Sequence, residues 1–374
     1  MHIVYFTHSL ASCWNHGNAH FLRGVLRELL ARNHQVTSYE AEDGWSRENL
    51  LRDHGEAGLT GFARAYPDLV HSLRFISPDL DKMLDGADLV IVHEWNTPDL
   101  IAALGLRRAQ GGRFRLLFHD THHRAVSDPG AIARLDLSGY DGVLAFGEAL
   151  AHVYRVRGWG NDVFVWHEAA DTRLFHPPHE GQPRSGIVWI GNWGDDERSA
   201  ELNDYLLRPT ATLRLPLDIY GVRYPDSALT TLTEADARYR GWLPNPDVPS
   251  VFARHMMTVH VPRRFYATHL PGIPTIRVFE ALACGIPLLS APWDDSEHLF
   301  RIGRDFLMAR NPEEMRQHMG MIACDSDLRN SLVESGLETI RGRHTCAHRA
   351  DELLDIVARF NGQAEITTAE IAAT

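Results

Sequence analysis

One lysine, Lys82, stands among the 374 residues, and every other basic side chain is arginine. A cofactor carried as a Schiff base needs a lysine in a buried cleft, so this scarcity argues against pyridoxal phosphate chemistry. A basic excess is missing too. The net charge of −12 leaves no phosphate-reading surface, and nucleic acid is not an expected partner. The four cysteines, Cys13, Cys284, Cys324 and Cys346, are far apart and match no zinc spacing. No run is long and apolar enough for a transmembrane segment, and no secretory leader is recognisable. These absences lead to the expectation of a reduced, cytoplasmic protein, with peripheral membrane association left open.

What is present is globular: 44% hydrophobic and 23% charged residues. A chain of this length exceeds one ordinary core and points to two domains of roughly 150–200 residues each. Apolar runs alternate with helical patterns: "HIVYF", "HQVTSYE", "ADLVIVHE", "FRLLFHD" and "DGVLAFG", with a helix "NAHFLRGVLRELLARN" after the first and a long helical region after the second. Near-continuous apolar strands between helices indicate a doubly wound, mostly parallel sheet. The pattern breaks at "DTRLFHPPHEGQPRS" and restarts with "GIVWIGNW", "LPLDIYG", "ARYRGWL", "MMTVHVP" and "IPLLSAP". The reading is α/β, with two Rossmann-like domains over residues 1–180 and 181–345. A C-terminal helix over 346–362 is expected to pack back on the first domain, followed by a frayed tail over 363–374.

Two facing domains of this kind place their carboxyl-end crevices opposite each other, so a ligand should lie between them. "TIRVFEALACGIPLL" reads as a helix from Thr275, stopped by Gly285 and Pro287, then a short buried strand. Arg277 in the first turn opposes the helix dipole unless an anion sits there, on the free amides of Thr275, Ile276 and Arg277. Glu280 lies beside Arg277, and a carboxylate there can accept both hydroxyls of a vicinal diol. Anion and diol together suggest a nucleotide. An ordinary solvated helix pair explains the same spacing.

The stretch "TIRVFEALACGIPLLSAP" resembles the donor-binding motif of GT-B glycosyltransferases, the retaining nucleotide-sugar family (family 4-like) marked by a Glu-x7-Glu pattern. Other segments agree in order: "HGNAHFLRGVLRELLARNHQVT" with the glycine loop and first helix, "ADLVIVHEWN" and "FRLLFHD" with pocket strands, "HEAADTRLFHP" with the interdomain segment, and "YRGWLPNPDVPSVFARHMMTVHVP" with the elements flanking the base. The resemblance spans nearly the whole chain. It implies an acceptor-side first domain and a nucleotide-sugar-binding second domain. It also implies transfer from a UDP- or GDP-linked sugar with retention, and no cofactor or metal. The departures are specific. Gly272 stands where the family has its first glutamate, which helps hold the transferred sugar. Only Arg198 is basic in "GNWGDDERSAE", where the family places an Arg and Lys pair. With Arg277 inside "TIRVFEALACG", the chain is most similar to the spore-coat-type, CgeB-like branch.

The residues implied are as follows. His119 and Arg277 are the catalytic candidates. Donor binding falls to Glu280, Thr275, Ile276, Arg277, Arg198, Asn192 and Arg263 (with Arg264 beside it), and the turn Gly241, Trp242 and Leu243 holds the base. Gly17, Asn18, His93, Asn96 and His119 form the sugar or acceptor pocket. "HDTHH" (His119, Asp120, His122, His123) also resembles a metal-ligand run but lacks partners at recognisable spacing. His16 and His20 read as loop and helix-start residues, since no zincin glutamate lies between them. Trp14, Trp95 and Trp193 fall on strand-end loops, where an aromatic either stacks on a sugar or simply packs. The acceptor is open: a glycan, a lipid-linked species or a small molecule. Two further classes fit the fold, a catalytically silent nucleotide-sugar-binding protein and a GT-B sugar-nucleotide epimerase; the single lysine argues against a phosphorylase.

Overall fold

The structure, a computed structural model, describes residues 1–178, 183–194 and 196–372. Strands β1 (His2–Phe6), β2 (Gln35–Glu40), β3 (Leu73–Phe75), β4 (Leu89–His93), β5 (Arg115–Asp120), β6 (Gly142–Ala145) and β7 (Asp162–Val165) form one parallel sheet, ordered β3-β2-β1-β4-β5-β6-β7. A second parallel sheet contains β8 (Ile187–Ile190), β9 (Leu217–Tyr220), β10 (Ala237–Tyr239), β11 (Met257–His260), β12 (Leu288–Ser290) and β13 (Leu307–Met308), ordered β10-β9-β8-β11-β12-β13. The apolar runs of the sequence become central strands for a plain reason. β4, β6, β8 and β11 are buried at every position, as strands covered by helices on both faces must be.

The sequence pattern misses β3, β7 and β13. All three lie at sheet edges, where half-exposed residues carry no apolar run. β3 interrupts the region read as helical. Strand order reverses between β1 and β4 in the first sheet and between β8 and β11 in the second. Each reversal opens a crevice at the strand carboxyl ends. The loops that leave β1, β4, β5, β8 and β11 therefore face one another across the domain boundary.

The chain crosses between the sheets after Val165; residues 179–182 of the expected linker lie outside the described residues. The crossing segment is held from behind by the last helix, Cys346–Ala372. Trp166 Nε1 donates to Arg349 O at 2.9 Å, Arg349 Nε to His167 O at 2.9 Å, and Ala170 bridges Thr345. This helix crosses the first domain's helix Ala19–Ala31 where Gly24 allows close approach: a Cβ on Gly24 would collide with Cys346 Sγ. Arg32 pairs with Asp351 at 2.9 Å along the same contact. The backbone is helical through Ala372, and the segment holds no proline to end it. Among the described residues no helix is long and apolar enough to cross a membrane.

Candidate active site

A cleft of about 1550 Å³ lies between the domains. Its first-domain wall includes Thr7, His8, Asn18, Trp45, His93 and Glu168; its second-domain wall includes Asn192, Glu197, Arg223, Arg263, Thr275 and Ile276. The two walls touch at their base. Asn192 Nδ2 donates to Asn15 Oδ1 at 2.7 Å, and a Cβ on Gly17 would stand 3.2 Å from Ile276 Cγ2.

The helix Ile276–Ala283 begins at this contact, with Thr275 as N-cap in extended geometry and no side-chain cap. Among the described residues no acceptor meets the N–H groups of Ile276 or Arg277. Two unpartnered amides at the positive end of a helix dipole, the first of them on the cleft lining, can bind an anion. Arg277 does not complete it as expected. Its guanidinium is paired with Glu280, and it is absent from the cleft lining. Arg263 does line the cleft, as Arg223 does, and is held by Glu197 Oε2 at 2.8 Å and Asn192 Oδ1 at 3.2 Å. Arg198 stands behind it, donating to Asn192 O and Oδ1 at 2.7 Å each. It is absent from the cleft lining, and burial and the neighbouring Arg263 push its pKa down to about 10. Arg264 instead pairs with Glu201 at 3.1 Å on the exposed side.

Glu280 needs a correction. It is 0% exposed, with Oε1 accepting from Asn245 Nδ2 at 2.8 Å and Oε2 engaged by Arg277. His20 Nδ1 lies 3.2 Å from Oε1. Burial alone would raise its pKa, but Arg277 and the His20 and Asn245 contacts outweigh that and hold the carboxyl below the usual glutamate value. It is therefore neither a diol acceptor presented to the cleft nor a solvated helix pair: it is a buried tie between domains.

His119 needs one as well. The sequence places it at the crevice, yet β5 continues through it to Asp120. The ring is 1% exposed, bonded to Tyr5 through Nδ1 and packed against Trp166 at 4.8 Å. Burial drives its pKa down to about 3, so it is a neutral core group with no access to a ligand. The residues of that strand end that do line the cleft are Thr121, His122 and His123. Among the described residues no three His, Cys, Asp or Glu side chains are grouped to hold a metal.

The first-domain pocket candidates fall as follows. Gly17, Asn18, His93 and Asn96 all line the cleft. His93 Nε2 contacts Thr121 Oγ1 at 3.1 Å, and Asn96 Nδ2 pins the loop to Phe6 O and His93 O at 2.9 Å each. Trp95 is 42% exposed under the Arg124 guanidinium, 4.0 Å from its ring centre. Trp14 and Trp193 are packing residues, the former bonded to Asp53 at 3.0 Å. Gly241 and Leu243 do not reach the cleft. Trp242 walls a smaller adjoining pocket of about 730 Å³, together with Trp14, His54 and Tyr239; Trp45 and Arg223 line both cavities.

Gly272 has a positive φ of 85°, and a Cβ there would stand 2.8 Å from Ser296 Oγ and Glu297 Cγ. A side chain there would be strained and would have to displace Ser296 and Glu297. The sequence reading missed His8, Glu197, Arg223 and above all Glu168, a carboxyl in the interdomain segment; its one signal was a charged residue flanked by an apolar strand and two alanines.

Residues 198–355 match the family model described as Glycosyl transferase-like. A sequence comparison with curated proteins found no match. Among solved structures, a sucrose-phosphate synthase from Thermosynechococcus elongatus superposes with a TM-score of 0.66 at 14% identity, over 97% of this chain and 100% of that one. An alpha-glucosyltransferase in complex with UDP gives 0.66 at 11%, over 96% and 99%. Anabaena HepE in complex with UDP and glucose gives 0.66 at 13%, over 96% and 100%. The two-sheet architecture with its interdomain cleft is thus the GT-B fold, and the second domain is glycosyl transferase-like.

Proposed function

We propose that the protein transfers a sugar from a nucleoside diphosphate sugar to an acceptor bound on the first-domain side of the cleft. The observation that carries this is the pair of unpartnered amides at Ile276 and Arg277, with Ile276 and Arg263 both on the cleft lining. Such a site stabilises a diphosphate most as it leaves and its charge grows, which is where transfer needs stabilisation. Arg198 adds positive potential from behind, and the reading requires no metal or cofactor. The base is assigned to the turn Gly241–Leu243, whose Trp242 reaches the adjoining aromatic pocket. Two of the structures with this fold hold UDP, so a uridine nucleotide is the first donor to test. The acceptor is placed along Trp45 and Trp95, the exposed aromatics of the first-domain wall. Retention of configuration and the CgeB-like branch are part of the same proposal, on the strength of the helix motif.

The test is a thermal-shift panel of nucleoside diphosphates and nucleotide sugars, followed by assay of sugar release or transfer. A ligand at a hundred times its dissociation constant adds about 2.7 kcal/mol of stability. A panel in which no nucleotide raises the melting temperature would sink the proposal.

A further inference from the structure

We propose that Glu168 and Asn18 form the subsite that holds hydroxyl groups of the transferred sugar. This rests on the donor reading above. Glu168 lines the cleft although it is only 6% exposed. Its Oε1 accepts from Asn18 Nδ2 at 2.8 Å, and among the described residues no protein donor meets Oε2. Asn18 Oδ1 is also buried without a partner. Of these two acceptors without a protein donor, Asn18 Oδ1 is buried, while Glu168 Oε2 is open to the cleft. Buried polar atoms are normally satisfied, and a ligand rich in hydroxyl groups supplies the missing donors. A diphosphate, which offers only acceptors, does not.

The place is right for a sugar. Gly17, next to Asn18, abuts Ile276, whose N–H is one of the two amides of the anion site. In a nucleoside diphosphate sugar the sugar is bonded directly to the outer phosphate, so a diphosphate on these amides delivers its sugar beside Asn18 and Glu168. Gly272 has no side chain for this task, and the direction a side chain would take is occupied by Ser296 and Glu297. The carboxyl comes from the opposite domain, and domain closure would assemble the sugar site.

Burial pushes the Glu168 carboxyl up to about 7, with the Glu280 charge adding to it and the Asn18 bond and Arg277 opposing it. Tyr266 and Cys346 are the other titratable groups that feel its charge. The ionised form is the stronger acceptor, so sugar recognition should strengthen as pH rises through 7.

The experiment compares wild type with Glu168→Gln and Glu168→Ala by calorimetry. The probes are UDP and GDP and their sugars UDP-glucose, UDP-galactose, UDP-N-acetylglucosamine and GDP-mannose. Melting temperatures confirm that each variant is folded. For the nucleotide sugar that wild type binds best, Glu168→Ala should lose about tenfold in affinity, a typical loss for a charge-assisted hydrogen bond, while the bare diphosphate changes less than about twofold. Turnover of that sugar should rise with pH through 7 in wild type, and this rise should vanish in Glu168→Gln. An equal loss for the bare diphosphate would put Glu168 at the phosphates, and no loss for either would make it a structural group; both outcomes overturn the subsite. If wild type binds no nucleotide at all, the donor reading fails first and takes this one with it.

Discussion

His20 and Glu280 meet across the seam between the domains, Nδ1 standing 3.2 Å from Oε1 with both side chains fully buried. The other ring nitrogen of His20 accepts the backbone N–H of Asp171 at 2.8 Å. A neutral ring therefore carries its proton on Nδ1, the side that faces the carboxylate. Through this contact the helix that opens on the anion site is tied to the first domain's helix and to the crossing segment.

Glu280→Ala should therefore act first on stability. Removing one partner of a buried pair costs about 3 kcal/mol or more, here read from urea unfolding. The pH dependence has a definite sign. The folded carboxyl titrates below its ordinary value, so its contribution is complete above the unfolded value of about 4.3 and is lost as pH falls through the lower folded value. The gap between wild type and variant should be constant from pH 5 to 7 and narrow in stronger acid. A gap that is absent at pH 7 would make the tie idle.

Arg263 and Arg277 should separate into two roles. Arg263→Ala is expected to lower nucleoside diphosphate affinity by about 1.5–3 kcal/mol, the worth of a hydrogen bond to a charged group. Lysine there should restore only part, lacking the planar fork. Arg277→Ala should lower the melting temperature more than the affinity, because its guanidinium is engaged by Glu280. Calorimetry and melting on the same preparations decide; the reverse ranking would return Arg277 to the diphosphate.

His119→Ala should destabilise without disabling. It leaves a cavity beside Trp166 and strips Tyr5 of its partner, together about 2–4 kcal/mol. Turnover per folded molecule should stay within about twofold of wild type, since the change lies in the core and leaves the cleft walls in place. A large fall in turnover with an unchanged melting temperature would contradict the buried placement.

Gly272→Glu restores the residue of the family pattern and should still gain nothing. At a φ of 85° a side chain is strained by about 1 kcal/mol or more, and this one would meet Ser296 and Glu297. Lower stability with no rise in sugar affinity is the expected pair of results, from melting and calorimetry. A gain in affinity would mean that the turn can rearrange.

Much of the architecture was legible because central parallel strands bury both faces, and nine of the ten apolar runs quoted above contain a strand that is buried at half or more of its positions. The edge strands β3, β7 and β13 were not, being short and half exposed. Of the donor-side candidates read from the helix start and the strand-end loops, Thr275, Ile276, Asn192 and Arg263 line the cleft. Glu280 and His119 are instead buried and absent from the cleft lining. Their positions in the chain were right, but a residue at a strand end or on a helix face can point to the core or to the cleft, and local spacing is the same for both.

The sequence by itself determined two parallel-sheet domains, a helix with a cation in its first turn, and an interdomain segment between them, since these follow from periodicity and backbone chemistry within short windows. Only the tertiary structure decided which charges face the cleft. Arg277 is turned to Glu280, Arg263 is held at the cleft by Glu197, and Glu168 lies against Asn18, 150 residues away in the chain. These choices depend on how the elements pack in three dimensions, and burial and pairing in that packing decide whether a charged group is a structural tie or a binding group.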